Sequence, residues 1–379
     1  MKKPQSFLLI ITVCILIYVI YRFSWKRDMI NRIFNKIQRT TTTTACCKNA
    51  DCNCNTPEGF ELFGTKTGEY NALLDTNATN IVSLPNDDKY LNQPVKDYVI
   101  KSSYNSAVTG KYVNMEMLTY LLHRGVRMLD FEIMLIDEAP MVTYTNDKTL
   151  DTKKTDNILL LDNIFSMLVT SAFIQPTPNV RDPLFIHLRI KSNGPELYKR
   201  IAKSIHSTLR PRLYKGKITM KTHMKDIMGK IVIVVDKTID RNYLQQAECS
   251  LGENPLCYDL KNFINMESGS DTLHLFNYSG LLALTRDHIR IEDKCESCTN
   301  AKNMKIVLPD SININTNNPN IDEFVTNYGS QFTMYKFYSK DEGLEEYEKM
   351  FDENKGGVLP LAFTLDYLKQ NKGYLNEDE

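Results

Sequence analysis

The chain has 379 residues, enough for one large domain or two small ones. Its 46 Lys and Arg balance 46 Asp and Glu, and this neutral total gives no reason to expect a nucleic-acid partner. A hydrophobic share of 42% is ordinary for a globular protein.

Phe7 to Tyr21 carries no charge. The run is slightly short of the ~20 apolar residues that cross a bilayer. Lys3 and Arg22 can snorkel, however, and Phe23 and Trp25 suit the headgroup layer. The pattern predicts an N-terminal transmembrane helix inside a membrane-anchor segment, residues 1–39. A cleaved signal peptide is the rival, disfavoured because the stretch from Arg22 to Arg27 offers no small-residue cleavage site. Lys2 and Lys3 precede the run, whereas Arg22, Lys26, Arg27, Arg32, Lys36 and Arg39 follow it. That asymmetry predicts a single-pass membrane protein with its C-terminal part in the cytosol. It also lays a basic flank against anionic lipids.

The cysteines leave the compartment open. Cys14 lies in the apolar run, and eight others follow. An even number suits a disulfide framework, while a cytosolic location suits free thiols or metal. Glycosylation triplets at Asn77 and Asn277 favour a lumenal side. Cys46, Cys47, Cys52 and Cys54 admit zinc, disulfides or lipid attachment. Cys295 and Cys298 have zinc-ligand spacing, and Cys249 and Cys257 would complete four ligands, although a second Cys-x-x-Cys is missing.

Residues 40–90 are rich in Thr, Asn and Asp with no sustained periodicity and read as a linker. From residue 91 the pattern changes. Asp97 to Ser103 reads as a strand. Met115 to Arg124 reads as a helix, with Asn114 as N-cap and Gly125 as stop. Val126 to Leu135 is a second strand and Pro140 to Tyr144 a short third. Asn157 to Phe173 is an apolar-rich helix and Leu184 to Ile190 a strand. Pro195 to Leu209 is a helix with Pro at N1 and Leu197, Ile201, Ile205 and Leu209 on one face. Ile231 to Asp236 is the continuous apolar run of a buried parallel strand. Alternating strands and helices predict a parallel α/β architecture, and five strands by residue 236 favour a barrel over an open sheet.

Three short blocks carry more specific information. They are Ser102-Ser103-Tyr104-Asn105-Ser106, then Val126-Arg127-Met128-Leu129-Asp130-Phe131-Glu132, then Val142-Thr143-Tyr144. They resemble the X region of phosphoinositide-specific phospholipase C, a phosphodiesterase family with a distorted eight-stranded TIM barrel. The resemblance returns in Cys257-Tyr258-Asp259-Leu260 and from Tyr328 to Pro360, which look like that family's Y region. It implies a distorted (β/α)8 barrel over residues 91–379, X-like over 91–237 and Y-like over 257–363.

In that family two histidines serve phosphodiester cleavage, one stabilising the phosphate and one protonating the leaving oxygen. Calcium is held by oxygen ligands at the mouth of the barrel. Tyr104 and Tyr144 stand where the resemblance puts those histidines. A neutral phenol is neither a cation nor a ready general acid. Asn105, Asp130 and Glu132 match calcium ligands, whereas Arg189 stands in place of a further acidic ligand. Arg189 is expected to bridge Asp130 and Glu132, either sealing a vestigial site or replacing the metal as a guanidinium. Lys237 is the one lysine left to meet a substrate phosphate, and His187 alternates onto the face of Arg189. The resemblance thus implies a membrane-anchored barrel that has lost normal catalysis, with an inositol phospholipid headgroup as its ligand. One alternative is a working phosphoric diester hydrolase with unusual groups. Another is a structural membrane protein of a large DNA virus, which the Asn-, Ile- and Lys-rich composition of an AT-rich genome would fit.

Overall fold

The computed structural model describes residues 65–74, 79–145, 155–191, 194–249, 257–284, 303–310 and 316–376. All fall in one compact unit, Gly59–Glu379. The expected membrane anchor, the early cysteines, Asn77, Cys295 and Cys298 lie outside the described residues. Among those described, no helix is long and apolar enough to cross a membrane.

Twelve strands are described: β1 Tyr98–Ile100, β2 Ser102–Ser103, β3 Met128–Ile136, β4 Ala139–Val142, β5 Leu159–Leu160, β6 Leu184–Lys191, β7 Ile231–Asp236, β8 Met266–Ser268, β9 Leu273–Asn277, β10 Met304–Leu308, β11 Phe332–Tyr335 and β12 Val358–Pro360. Eight of them form a closed parallel barrel in the order β2-β3-β6-β7-β8-β9-β10-β11, with β11 pairing back to β2. This is the α/β, TIM-like architecture that the alternation predicts. β7 reads Ile-Val-Ile-Val-Val-Asp and is buried throughout, as a strand covered on both faces must be. In β3 and β6, Asp130 and Glu132 pair with His187 and Arg189. Strand alternation puts these four side chains on one face, while Leu129, Phe131, Leu188 and Ile190 take the other.

Helices follow their local signals. Asn114 caps Met115–His123 by accepting from the Glu116 amide. Gly125 then turns the chain at φ 74°, a conformation glycine adopts without strain. Pro195–Ser204 starts with Pro at N1 and continues as a π-helical turn, Ile205–Leu209, which keeps Leu197, Ile201, Ile205 and Leu209 buried.

Four expectations need correction. The predicted strand from Asp97 to Ser103 divides at Lys101. Its first part, β1, leaves the barrel to pair antiparallel with β12, and only β2 enters the barrel. Lys101 enforces the division: its carbonyl accepts from the amides of Arg127 and Met128, and its Nζ donates to the Arg124 carbonyl and pairs with Glu348. The predicted third strand is β4, the second arm of an antiparallel hairpin on β3. Asp137 and Glu138 both have positive φ, the geometry of a tight two-residue hairpin turn. Only four barrel strands therefore precede residue 237, not five. The predicted helix from Asn157 begins at Leu161, because Leu159 and Leu160 pair with β4. Finally, much of the segment read as linker is built onto the barrel unit. Lys66–Leu73 is a helix, Glu69 accepts from the amides of Lys111 and Tyr112, and Ile81 and Leu84 are buried.

Candidate functional site

β3 and β6 carry the acids and bases of the site toward the C-terminal ends of the barrel strands, the face on which TIM-barrel chemistry is built. Arg189 is the centre. Its Nε donates to Asp130 Oδ1 at 2.9 Å, its Nη2 to Asp130 Oδ2 at 2.9 Å, and its Nη1 to Glu132 Oε2 at 2.9 Å. Nη2 also donates to Asn105 Oδ1. The guanidinium carbon lies 4.6 Å from the centre of the Tyr104 ring. Asp130, Glu132, Asn105, Tyr104 and Arg189 are all buried.

The carboxylate oxygens accept further bonds. Asp130 Oδ1 accepts from His187 Nδ1 at 2.8 Å, and Oδ2 accepts from the Asn105 amide at 2.9 Å. Glu132 Oε1 accepts from the Thr145 amide at 2.6 Å and pairs with Lys191 Nζ at 3.0 Å. The second ring nitrogen of His187 meets Ser268 Oγ at 2.8 Å. A carboxylate can only accept, so Nδ1 carries the donated proton and Nε2 accepts from the serine hydroxyl in the neutral ring. Ser268, His187 and Asp130 form a hydrogen-bonded line that is completely buried.

Asn105 adopts a left-handed backbone at φ 44°, which points its amide at Asp130. Its side-chain Nδ2 is buried with no hydrogen-bond partner, and the same is true of Ser103 Oγ. Such groups are uncommon in folded proteins and call for an explanation.

Charge and burial compete in setting protonation. Burial alone would raise the Asp130 carboxyl, but the Arg189 charge and the His187 hydrogen bond outweigh it and hold the group well below the usual carboxylate range. Burial works against the Arg189 charge too, yet Asp130 and Glu132 keep the guanidinium firmly protonated. Burial pushes the Tyr104 phenol well above its ordinary value, only partly countered by Arg189. At neutral pH Tyr104 is therefore a neutral donor or a ring wall, not an ionised base.

The structure thus brings together Tyr104, Asn105, Asp130, Glu132 and Arg189. Two other predicted residues stand apart. The Tyr144 phenol donates to the Gly110 carbonyl at 2.9 Å, outside the Arg189 network, and burial raises its pKa. Lys237 follows the end of β7, and no hydrogen bond or ion pair joins its side chain to the cluster. Four members were missed by sequence reasoning. Lys191 lies two residues beyond Arg189 on the same strand face, so alternation already held its signal. Ser268 at the end of β8 and Thr145 after β4 meet the cluster only through tertiary pairing. Tyr338, three residues past β11, is buried, and burial raises its phenol well above its ordinary value.

Of the four cysteines weighed as zinc ligands, Cys249 and Cys257 form a disulfide with each other. Two sulfurs bonded in this way are not thiolate ligands.

A closed eight-stranded parallel barrel with buried acids at the strand ends defines a phospholipase C-like fold. Residues 91–237 match the family described as phosphatidylinositol-specific phospholipase C, X domain. Among solved structures, PLC21 from L. pealei is similar at a TM-score of 0.56 and 15% identity, over 79% of this chain and 42% of that one. PLC21 from S. officinalis is similar at a TM-score of 0.54 and 14% identity, over 79% of this chain and 41% of that one. The chain thus spans about two fifths of the length of these proteins, and identities this low speak for the fold alone. No curated protein matches the chain significantly.

Proposed function

We propose that the chain is a phospholipase C-like barrel whose hydrolytic centre has been replaced by the Arg189 ion-pair network, leaving a role in binding phosphorylated lipid headgroups or in scaffolding. One observation carries this reading: Arg189 occupies the space between Asp130, Glu132 and Asn105 and donates to all three. Calcium needs six to eight oxygen ligands. Here both carboxylates already accept from cations or amides, and a dication beside a fixed guanidinium meets like-charge repulsion. The donor set does not fit calcium.

The groups needed for acid–base chemistry argue the same way. Tyr104 is buried and neutral, and Tyr144 is turned to Gly110. Losing one positioned acid or base costs ~10²–10⁴ in rate. A binding role is supported by Asn105 Nδ2, a buried donor left without a partner beside a guanidinium. The same atom favours the second reading, a metal-independent hydrolase in which Arg189 itself meets the phosphodiester. The match to a phosphatidylinositol-specific family names the lipid to test.

The test compares phosphatidylinositol hydrolysis by the natural protein with that by the combined variant Tyr104→His, Tyr144→His and Arg189→Glu. The expected outcome is no release of inositol phosphate by the natural protein, with or without calcium, and calcium-dependent release only in the combined variant. Release by the natural protein at enzymatic rates, abolished by Tyr104→Phe, would establish the hydrolase reading instead.

Membrane attachment by the apolar run from Phe7 to Tyr21 belongs to the same proposal. The flanking charges support a cytosolic barrel, whereas the Cys249–Cys257 disulfide suits an oxidising compartment. Asn277 ends β9 and is exposed, so it reports on the side. A glycosidase-sensitive mass shift places the barrel in the lumen. Absence of the shift, with protease access to the barrel from outside sealed microsomes, places it in the cytosol.

A further inference from the structure

The end of the barrel opposite Arg189 holds a cavity of about 480 Å³. It opens where the loops preceding β6 and β7 meet the segment 84–93. That segment is tied down by Leu84 N donating to Asp182 Oδ1 at 2.8 Å and by Met224 N donating to the Gln93 carbonyl at 2.9 Å. Three cations line the cavity from three separate stretches of chain: Arg181, Arg212 and Lys225. Its apolar walls include Leu84, Phe173 and Met228, and none of the residues lining it is acidic.

The charge is not neutralised locally. Neither the Arg181 nor the Arg212 guanidinium makes an ion pair among the described residues, while Lys225 Nζ donates to the neutral Asn92 Oδ1 at 2.9 Å. Nearby acids face elsewhere. Asp182 is buried and holds the Leu84 amide, Asp226 accepts from the His223 amide, and Asp87 accepts from the Lys89 amide. Arg212 lies over the Phe173 ring at 5.0 Å, which fixes the plane of its guanidinium next to an apolar wall.

We propose that this cavity is a binding site for a phosphomonoester carried on an apolar group. Two guanidinium forks and an ammonium suit a phosphate dianion, which Arg recognises with paired hydrogen bonds. The volume falls in the ~300–1,000 Å³ range of small-molecule clefts and exceeds what bare phosphate needs. The apolar walls account for the rest of the ligand. This site is separate from the Arg189 network, so the proposal stands or falls independently of the one made for the barrel mouth.

The experiment titrates the full chain in neutral detergent with phenyl phosphate, inorganic phosphate and dioctanoyl phosphatidic acid, followed by calorimetry. The expected result is one saturable site that prefers phenyl phosphate or the short lipid to inorganic phosphate. Affinity should fall about tenfold or more in the double variant Arg181→Ala, Arg212→Ala. It should be unchanged in Lys203→Ala, a control cation on an exposed helical position outside the cavity. Tighter binding of the short lipid identifies a membrane source for the ligand, and tighter binding of phenyl phosphate a soluble one; either supports the site. Both arginines are exposed, so the double variant should keep the natural thermal midpoint. No saturable binding, equal affinity for inorganic and phenyl phosphate, or an equal loss in Lys203→Ala would overturn the proposal.

Discussion

At the scale of single residues, Arg189 converts a pair of acids that could attract a dication into a closed, nearly neutral cluster. Asp130 and Glu132 supply two negative charges, and Arg189 and Lys191 supply two positive ones. A buried ion pair of this kind contributes little net stability, because desolvation opposes the attraction, but removing one partner strands a buried charge. Arg189→Met is therefore expected to destabilise the fold by about 3–5 kcal/mol, read as a lower urea midpoint with unchanged slope. Adding Asp130→Asn to it should recover part of the loss. A double variant no more stable than Arg189→Met alone would show that Asp130 is not the stranded charge. Much of this cluster was legible, because period-two alternation in β3 and β6 places 130, 132, 187 and 189 on one face whatever the tertiary detail. Lys191 obeys the same rule but lies one residue past the predicted strand end at Ile190. Tyr338 and Ser268 gave no signal, since their places depend on how distant strands close.

At the scale of elements, the barrel closes through its shortest strand. β2 has only two residues, yet it joins β11 to β3. Tyr347, on the helix Glu342–Glu353, compensates. Its hydroxyl accepts from the Ser102 amide at 2.6 Å, and its ring stacks on Tyr335 with centroids 3.7 Å apart. Tyr347→Phe keeps the stack and removes the acceptor, leaving a buried amide unpaired. The expected loss is about 1–3 kcal/mol of unfolding free energy, with faster hydrogen exchange at Ser102. Unchanged exchange there would mean that the seam does not depend on the phenol. The sequence could not announce this arrangement. β7 is legible because six apolar residues in a row leave few alternatives, whereas the break between β1 and β2 is set by Lys101 meeting Arg124 and Glu348 far along the chain. The hairpin turn at Asp137 and Glu138 was similarly hidden, as neither residue is the glycine or asparagine that usually marks such a turn.

At the scale of the whole molecule, two buried aspartates at opposite ends of the barrel give stability opposite dependences on pH. Asp130 is held well below its ordinary value, so its contribution is present above the unfolded carboxylate pKa of ~3.9 and is lost as pH falls below it. Asp182 is the reverse case. Burial raises it to about 6, against the opposing charge of Arg127, and its Oδ2 has no hydrogen-bond partner, as suits a neutral carboxyl. Its contribution is fully present below ~3.9 and is lost as pH rises through about 6. Asp97, raised by burial despite its pairing with Lys96, acts in the same sense as Asp182. Stability should therefore peak near pH 4, where the Asp130 contribution is complete and the Asp182 contribution is still intact, and fall from there as pH rises through about 6. The fall from that peak to pH 7.5 attributable to Asp182 is at most about 3 kcal/mol. Asp182→Asn preserves an acceptor for the Leu84 amide without the titratable proton, so urea unfolding of this variant at pH 4 and 7.5 should show most of that fall removed. The acid side should be unaltered, because it belongs to Asp130. An equal fall in both proteins would assign the neutral-pH loss to other groups and return Asp182 to the ordinary carboxylate range.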